Sequence, residues 1–189
     1  MVILIDADDV LENMTESWIN RINEKYGTNV KLADSREWDL SKAFPSLTRE
    51  QVYGTEGDEE IYASLKPIEG AVEYTKRLIS DGHELYIVTN TPYFAYAYKM
   101  KYALLRYFPH IGEKRVIVTA NKKMVKGDVL IDDGVHNLIG GDYRKILISA
   151  PYNEDFDAEA NGIIRVKTWK DVYDVICGMQ QEENNGMRK

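Results

Sequence analysis

Apolar residues fall along this chain in two rhythms. Val2-Ile3-Leu4-Ile5, Leu85-Tyr86-Ile87-Val88, Val116-Ile117-Val118, Val129-Leu130-Ile131, Ile146-Leu147-Ile148 and Ile163-Ile164-Arg165-Val166 are short runs with almost no polar interruption. Such runs predict strands buried on both faces. Between them apolar residues recur every three or four positions, as in Leu11, Met14, Trp18, Ile22 and Tyr26, with Gly27 where a helix C-cap glycine belongs. A second stripe, Ile68, Ala71, Val72, Leu78 and Ile79, predicts a helix opened by Pro67 and stopped at Asp81-Gly82. Tyr93, Ala97, Met100, Leu104, Leu105 and Phe108 predict a long helix ending near Pro109. Thr168 and Asp171 form a capping signature for a last helix that turns Trp169, Val172, Tyr173 and Ile176 inward. Strands alternating with helices predict an α/β fold, a doubly wound parallel sheet with a Rossmann-like core.

Residues 13–66 interrupt the first strand–helix–strand unit. After its opening helix this stretch is polar, broken by Pro45, Gly54 and Gly57, and studded with Trp38, Phe44, Tyr53 and Tyr62 without sheet alternation. It reads as a small helical cap inserted after the first strand, with residues 1–12 and 67–180 forming the core. Residues 181–189 read as a polar, flexible tail.

Composition narrows the picture. A chain of 189 residues with 44% hydrophobic content suits one core with an insertion. The net charge of -7 argues against a nucleic-acid backbone or an anionic membrane as partner, though not against a small phosphorylated substrate. Cys177 is the single cysteine, which excludes a disulfide framework within the chain. No apolar run is long enough to span a bilayer, and the start carries no export signature, so a cytoplasmic protein is expected.

The strand ends carry the candidate chemistry. The first ends in Asp6 and Asp8, the second in Thr89 and Asn90, the fourth in Asp132 and Asp133. In a parallel sheet these ends share one edge, where ligands gather. Four carboxylates in one pocket repel unless a cation sits among them, and an all-oxygen donor set favours a hard ion such as Mg²⁺. Such an edge can supply what phosphate-ester hydrolysis needs. These are an aspartate nucleophile, a carboxyl acid, and hydroxyl and amide donors for the phosphoryl oxygens. A balancing lysine is also required, for which Lys122, Lys123 and Lys126 are candidates.

Asp6-Ala7-Asp8-Asp9-Val10, Thr89-Asn90, a lysine before the fourth strand and Asp132-Asp133 occur in the order of four signatures. With them the chain resembles the haloacid-dehalogenase-like (HAD) superfamily of phosphohydrolases. Within it, Leu65 to Val72, Val88 to Pro92, Asn121 to Asp133 and Ala150-Pro151-Tyr152-Asn153 resemble the 5'(3')-deoxyribonucleotidases. The resemblance implies Asp6 as nucleophile and Asp8 as acid/base. It implies Mg²⁺ on Asp6, the Asp8 backbone carbonyl, Asp132 and Asp133, and phosphate binding by Thr89, Asn90 and Lys122. The resemblance selects Lys122 over its neighbours, because the family's lysine lies ten positions before the first aspartate of the final pair, as Lys122 does before Asp132. Asp9 departs from the superfamily's usual glycine; aspartate is among the residues that tolerate a left-handed backbone.

The resemblance further implies a nucleoside monophosphate as small-molecule substrate, its base held by cap aromatics. Trp38 and Phe44 are the candidates, with Lys101 and Arg36 as weaker basic ones. Trp18 reads as core, His136 as a loop residue, Cys177 as buried and inert, and His83 and His110 as surface positions. The alternative substrate is a sugar phosphate or other small monoester. Oligomeric state is not readable from composition.

Overall fold

The computed structural model describes residues 1–186. Six strands form one all-parallel sheet in the order β3-β2-β1-β4-β5-β6. They are β1 (Val2–Ile5), β2 (Glu84–Thr89), β3 (Val116–Val118), β4 (Val129–Asp132), β5 (Arg144–Ile148) and β6 (Ile164–Val166). Every strand expected from the apolar runs is present. Alternation places the strand residues on two buried faces. Ile3, Ile5, Leu85, Ile87, Val129 and Ile131 pack with α4 (Ala71–Ser80) and α8 (Trp169–Gly186), while Leu4, Val88, Leu130 and Leu147 pack with α7 (Val135–Leu138) and Ile163. Strand β1 is central, with β2 on one side and β4 on the other, so the chain reverses direction across the sheet at β1. Ligands bind at the carboxyl ends of strands at such a switch point.

Between β1 and α4 lie α1 (Met14–Tyr26), α2 (Arg49–Tyr53), α3 (Glu59–Ala63) and short 3₁₀ turns. The insertion has a core of its own, made of Ile19, Ile22, Leu40, Phe44 and Val52. A second cluster joins Met14, Ile61, Tyr62 and Leu65 to Ala95 and Ala103 beyond β2. Gly27 adopts the expected left-handed C-cap, its N–H bonding to the Asn23 carbonyl. Pro67 does not open α4, which begins at Ala71. Residues 66–68 instead lie extended beside 11–13, where Asn13 donates to the Lys66 carbonyl and Ile68 to the Leu11 carbonyl. The insertion leaves and returns through this paired stem, and pairing with residues 11–13 keeps Pro67 extended.

The long helix after β2 is also different in detail. It consists of α5 (Tyr93–Lys99), one π-helical turn (Met100–Leu104) and α6 (Leu105–Tyr107). The π turn shifts the phase of the buried face, so Tyr93 and Ala97 from the expected stripe are exposed while Ala95, Lys99, Met100, Ala103 and Leu104 are buried. The last helix carries the expected capping box, with Asp171 N–H donating to Thr168 Oγ1 and Thr168 N–H to Asp171 Oδ2. It runs on to Gly186, so residues 181–186 are helical rather than a frayed tail, and 187–189 lie outside the described residues. Cys177 on this helix is only partly buried. His83 is buried rather than at the surface, and His110 is half-buried with Nε2 2.8 Å from Thr75 Oγ1.

Candidate active site

The register of β1 sets Ile5 between Ile87 and Ile131, which brings the residues just past β1, β2 and β4 to one level. Asp6 continues β1, its N–H donating to the Ile131 carbonyl at 2.9 Å. Lys122, in a short 3₁₀ turn ahead of β4, is buried and bridges two carboxylates. Its Nζ lies 2.7 Å from Asp6 Oδ1 and 2.7 Å from Asp132 Oδ2. Asp6 Oδ1 also accepts from Ala7 N–H. Burial pushes the Asp6 carboxyl up to about 7 against the pull of the Lys122 ammonium, with Asp132 and Asp8 adding to the rise.

The two aspartates after β4 differ. Asp132 is the more fully bonded, since its Oδ1 accepts from Gly134 N–H and Asn137 Nδ2 while Oδ2 takes Lys122. Asp133 accepts from the Tyr152 hydroxyl through Oδ2, but its buried Oδ1 has no donor. Burial first, and then the charges of Asp132, Asp6 and Asp9, hold the Asp133 carboxyl well above the carboxylate range. Asp6, Asp132 and Asp133 each offer an oxygen within 4.8 Å of the others. A buried carboxylate oxygen with no donor, facing two more carboxylates, fits an oxygen-ligated hard cation.

Asp8 lies in a second electrostatic cell. Lys99, at the end of α5, is 2% exposed, and its Nζ sits 2.6 and 2.7 Å from the two Asp8 oxygens and 3.3 Å from Thr89 Oγ1. Burial alone would raise the Asp8 carboxyl, but the Lys99 ammonium brings it below the usual range. Glu12 is fully buried beside this pair, with no donor for either oxygen. Burial and the Asp8 charge push its carboxyl well up, which favours the protonated form that can donate to Asp8. Thr89 is buried, with Oγ1 3.2 Å from Thr91 Oγ1; Asn90 is exposed at the mouth of the site.

Over these groups lies a cavity of about 230 Å³. Its polar floor includes Asp6, Asp8, Asp9, Asn90, Lys122 and Asp133. Its walls are Met14, Thr15, Trp18, Trp38, Leu40 and Tyr53 from the insertion and His136, Asn137 and Tyr152 from the sheet edge. The Trp38 ring stands edge-on to His136 at 4.6 Å and to Tyr152 at 5.4 Å. Trp18, expected in the core, does both jobs: it packs against the insertion's clusters and lines the cavity, with Nε1 donating to Thr55 Oγ1. Phe44 is 1% exposed inside the insertion's own core and does not reach the cavity. Lys101 is an exposed residue paired with Glu59 and Tyr102, outside the cavity. Arg36 pairs with Glu154 outside the cavity.

Asp6, Asp8, Asp132, Asp133, Thr89, Asn90, Lys122 and Trp38 therefore meet at one site, and Phe44, Lys101 and Arg36 do not. Sequence reasoning missed Lys99, Glu12 and Tyr152, and placed His136 in a loop although it lies on α7 and lines the cavity. One signal for Lys99 existed: it falls four residues from both Ala95 and Ala103, in the buried row of the helix. Tyr152 lies within the stretch Ala150-Pro151-Tyr152-Asn153 but has no chemistry of its own to mark it in the sequence.

Comparison with known proteins fits this geometry. The family model for 5' nucleotidase, deoxy (pyrimidine), cytosolic type C protein matches residues 1–182. The chain is 35% identical over 172 residues to a 5'(3')-deoxyribonucleotidase of Bacillus subtilis, covering 90% of this chain and 95% of that one. It is 26% identical over 165 residues to a 5'(3')-deoxyribonucleotidase of Clostridium acetobutylicum, covering 87% and 88%. In fold it is similar to a HAD family hydrolase from Deinococcus radiodurans solved with bound phosphate and sodium. That match has a TM-score of 0.61 at 15% identity and covers 94% of this chain and 95% of the other. A haloacid dehalogenase-like protein from Agrobacterium tumefaciens gives a TM-score of 0.61 at 16% identity, covering 95% and 98%.

Proposed function

Because the chain belongs to the family of 5' nucleotidase, deoxy (pyrimidine), cytosolic type C proteins, we propose that it removes phosphate from deoxyribonucleoside monophosphates. It is a phosphomonoester hydrolase of HAD-like fold. The observation that carries the nucleotide reading is the aromatic-walled cavity standing directly over Asp6, Lys122 and Asp133. A base stacked on an aromatic ring gains about 1–3 kcal/mol, and Trp38 and Trp18 offer such rings. The insertion 13–66 serves as the cap that holds the nucleoside.

Asp6 is the nucleophile. Lys122 and Ala7 N–H converge on Oδ1, leaving Oδ2 to attack phosphorus as the ester oxygen departs. The product is a phospho-aspartate, and Asp8 protonates the leaving alkoxide. Lys99 keeps Asp8 ionised at rest, so the proton arrives with the substrate, whose phosphate has a second pKa of about 6. Asp8 then takes a proton from the water that opens the phospho-aspartate. Thr89, Asn90 and Lys122 bind the phosphoryl oxygens. Mg²⁺ held by Asp6, the Asp8 carbonyl and Asp133 would neutralise charge on the phosphoryl group. Asp133 is the direct ligand of its pair, since its buried Oδ1 has no donor whereas both Asp132 oxygens already accept hydrogen bonds.

A panel of deoxyribonucleoside, ribonucleoside and sugar monophosphates, each with and without Mg²⁺, tests the reading. Preference for a sugar phosphate would move the substrate to the alternative class. Full activity in Asp6→Asn would remove the mechanism.

A further inference from the structure

Asp9 is the one non-glycine residue with positive φ among the described residues, at φ 55°. Glycine takes this conformation freely and aspartate only with help. Here the help is a set of contacts from two distant segments. Asp9 Oδ1 accepts from Thr15 N–H at 3.0 Å, and Oδ2 accepts from the Thr15 hydroxyl. Oδ2 also lies 3.2 Å from the Tyr152 hydroxyl oxygen, whose one proton it shares with Asp133. The same hydroxyl reaches Asp133 Oδ2, and the Tyr152 ring packs against Trp38. Thr15 lies in the first turn of α1, where the insertion begins; Tyr152 lies in the turn after β5. Asp9 thus touches both sides of the cavity from below.

We propose that Asp9 is a positioning residue that ties the first turn of the insertion, through Tyr152, to the Asp133 carboxylate. The tie has three members. Thr15 fixes Asp9 to the root of the insertion. Tyr152 spans from Asp9 to Asp133, and its ring backs the Trp38 wall. A shift of the insertion is therefore felt at the orientation of Asp133, and loss of the carboxylate at residue 9 frees both. A glycine here would keep the turn and abolish the tie.

The inference rests on the reading of Asp133 as a cation ligand, and one set of variants separates the two. Asp9→Gly is the informative change, because a mere turn role makes it harmless: the backbone there suits glycine. The proposal expects about tenfold weaker Mg²⁺ binding by titration calorimetry in Asp9→Gly, the size of a lost hydrogen bond to a charged group. Tyr152→Phe should match it, and the double variant should be no worse than either alone. In steady-state kinetics KM should rise with kcat held within about twofold, the pattern of lost positioning rather than lost chemistry. In metal-free protein, amide exchange at residues 14–17 should quicken in Asp9→Gly. Wild-type Mg²⁺ affinity, an unchanged KM and unchanged exchange in Asp9→Gly would overturn the tie, as would fully additive losses in the double variant. Absence of Mg²⁺ binding in the wild type would instead strike the cation reading, and the exchange measurement would still judge Asp9.

Discussion

Lys99 and Lys122 are two buried ammonium groups set among Asp6, Asp8, Glu12, Asp132 and Asp133. Removing one partner of a buried pair costs about 3–5 kcal/mol, because the other charge stays behind unpaired. Lys99→Met should therefore lower stability by that order in denaturant unfolding. It should also lower kcat by about 10²-fold or more, since Asp8 would no longer be held in place. Glu12→Gln should be mild on both counts, because a neutral amide replaces a carboxyl that burial drives toward its neutral form, and the amide can donate to Asp8. The proposed nucleophile has its own pH signature. Attack needs ionised Asp6, whose carboxyl lies at about 7, and a substrate that still carries its proton. At limiting Mg²⁺ kcat/KM should therefore be bell-shaped, with its maximum between about pH 6 and 7 and an acid limb set by Asp6. Saturating Mg²⁺ should move that limb to lower pH. Asp6, Thr89, Asp132 and Asp133 were legible in the sequence because each ends or follows a strand of evident type, whereas Lys122 was told from Lys123 and Lys126 only by the family resemblance. Lys99 was not, because a lysine on a helix reads as solvated until an ion pair is seen to bury it. Phe44 misled because an aromatic in a polar stretch looks available for a ligand, whereas the insertion needs it for a core of its own.

Elements were legible where one period ran unbroken. All six strands and α1 followed from periodicity. Starts and phases failed where a tertiary contact intervened: pairing with 11–13 holds Pro67 extended, and the π turn rephases the helix after β2. The approach to β4 shows how tight the central layer is. A Cβ on Gly127 would fall 2.6 Å from Leu4 Cγ. Gly127→Ala should destabilise the fold by about 1–3 kcal/mol through overpacking, read as a lower denaturant midpoint with unchanged slope.

At the scale of the molecule, the site stores charge that the fold alone does not balance. Asp6 and Asp9 titrate at about 7 and about 6 when folded, against an ordinary value of 3.8, and burial pushes Glu12 and Asp133 up as well. Between those values and the unfolded ones the folded state binds more protons, so stability falls as pH rises. Metal-free protein should therefore melt at a higher temperature near pH 6 than near pH 8, and Mg²⁺ should remove most of that slope. A metal-free melting temperature that climbs from pH 6 to pH 8 would contradict the charge assignment.

The most direct test of the central claim is the ratio of kcat/KM for a deoxyribonucleoside monophosphate to that for a sugar phosphate, in saturating Mg²⁺. The aromatic cavity over Asp6 predicts a ratio of about ten or more, from base stacking alone. A ratio at or below one would contradict it.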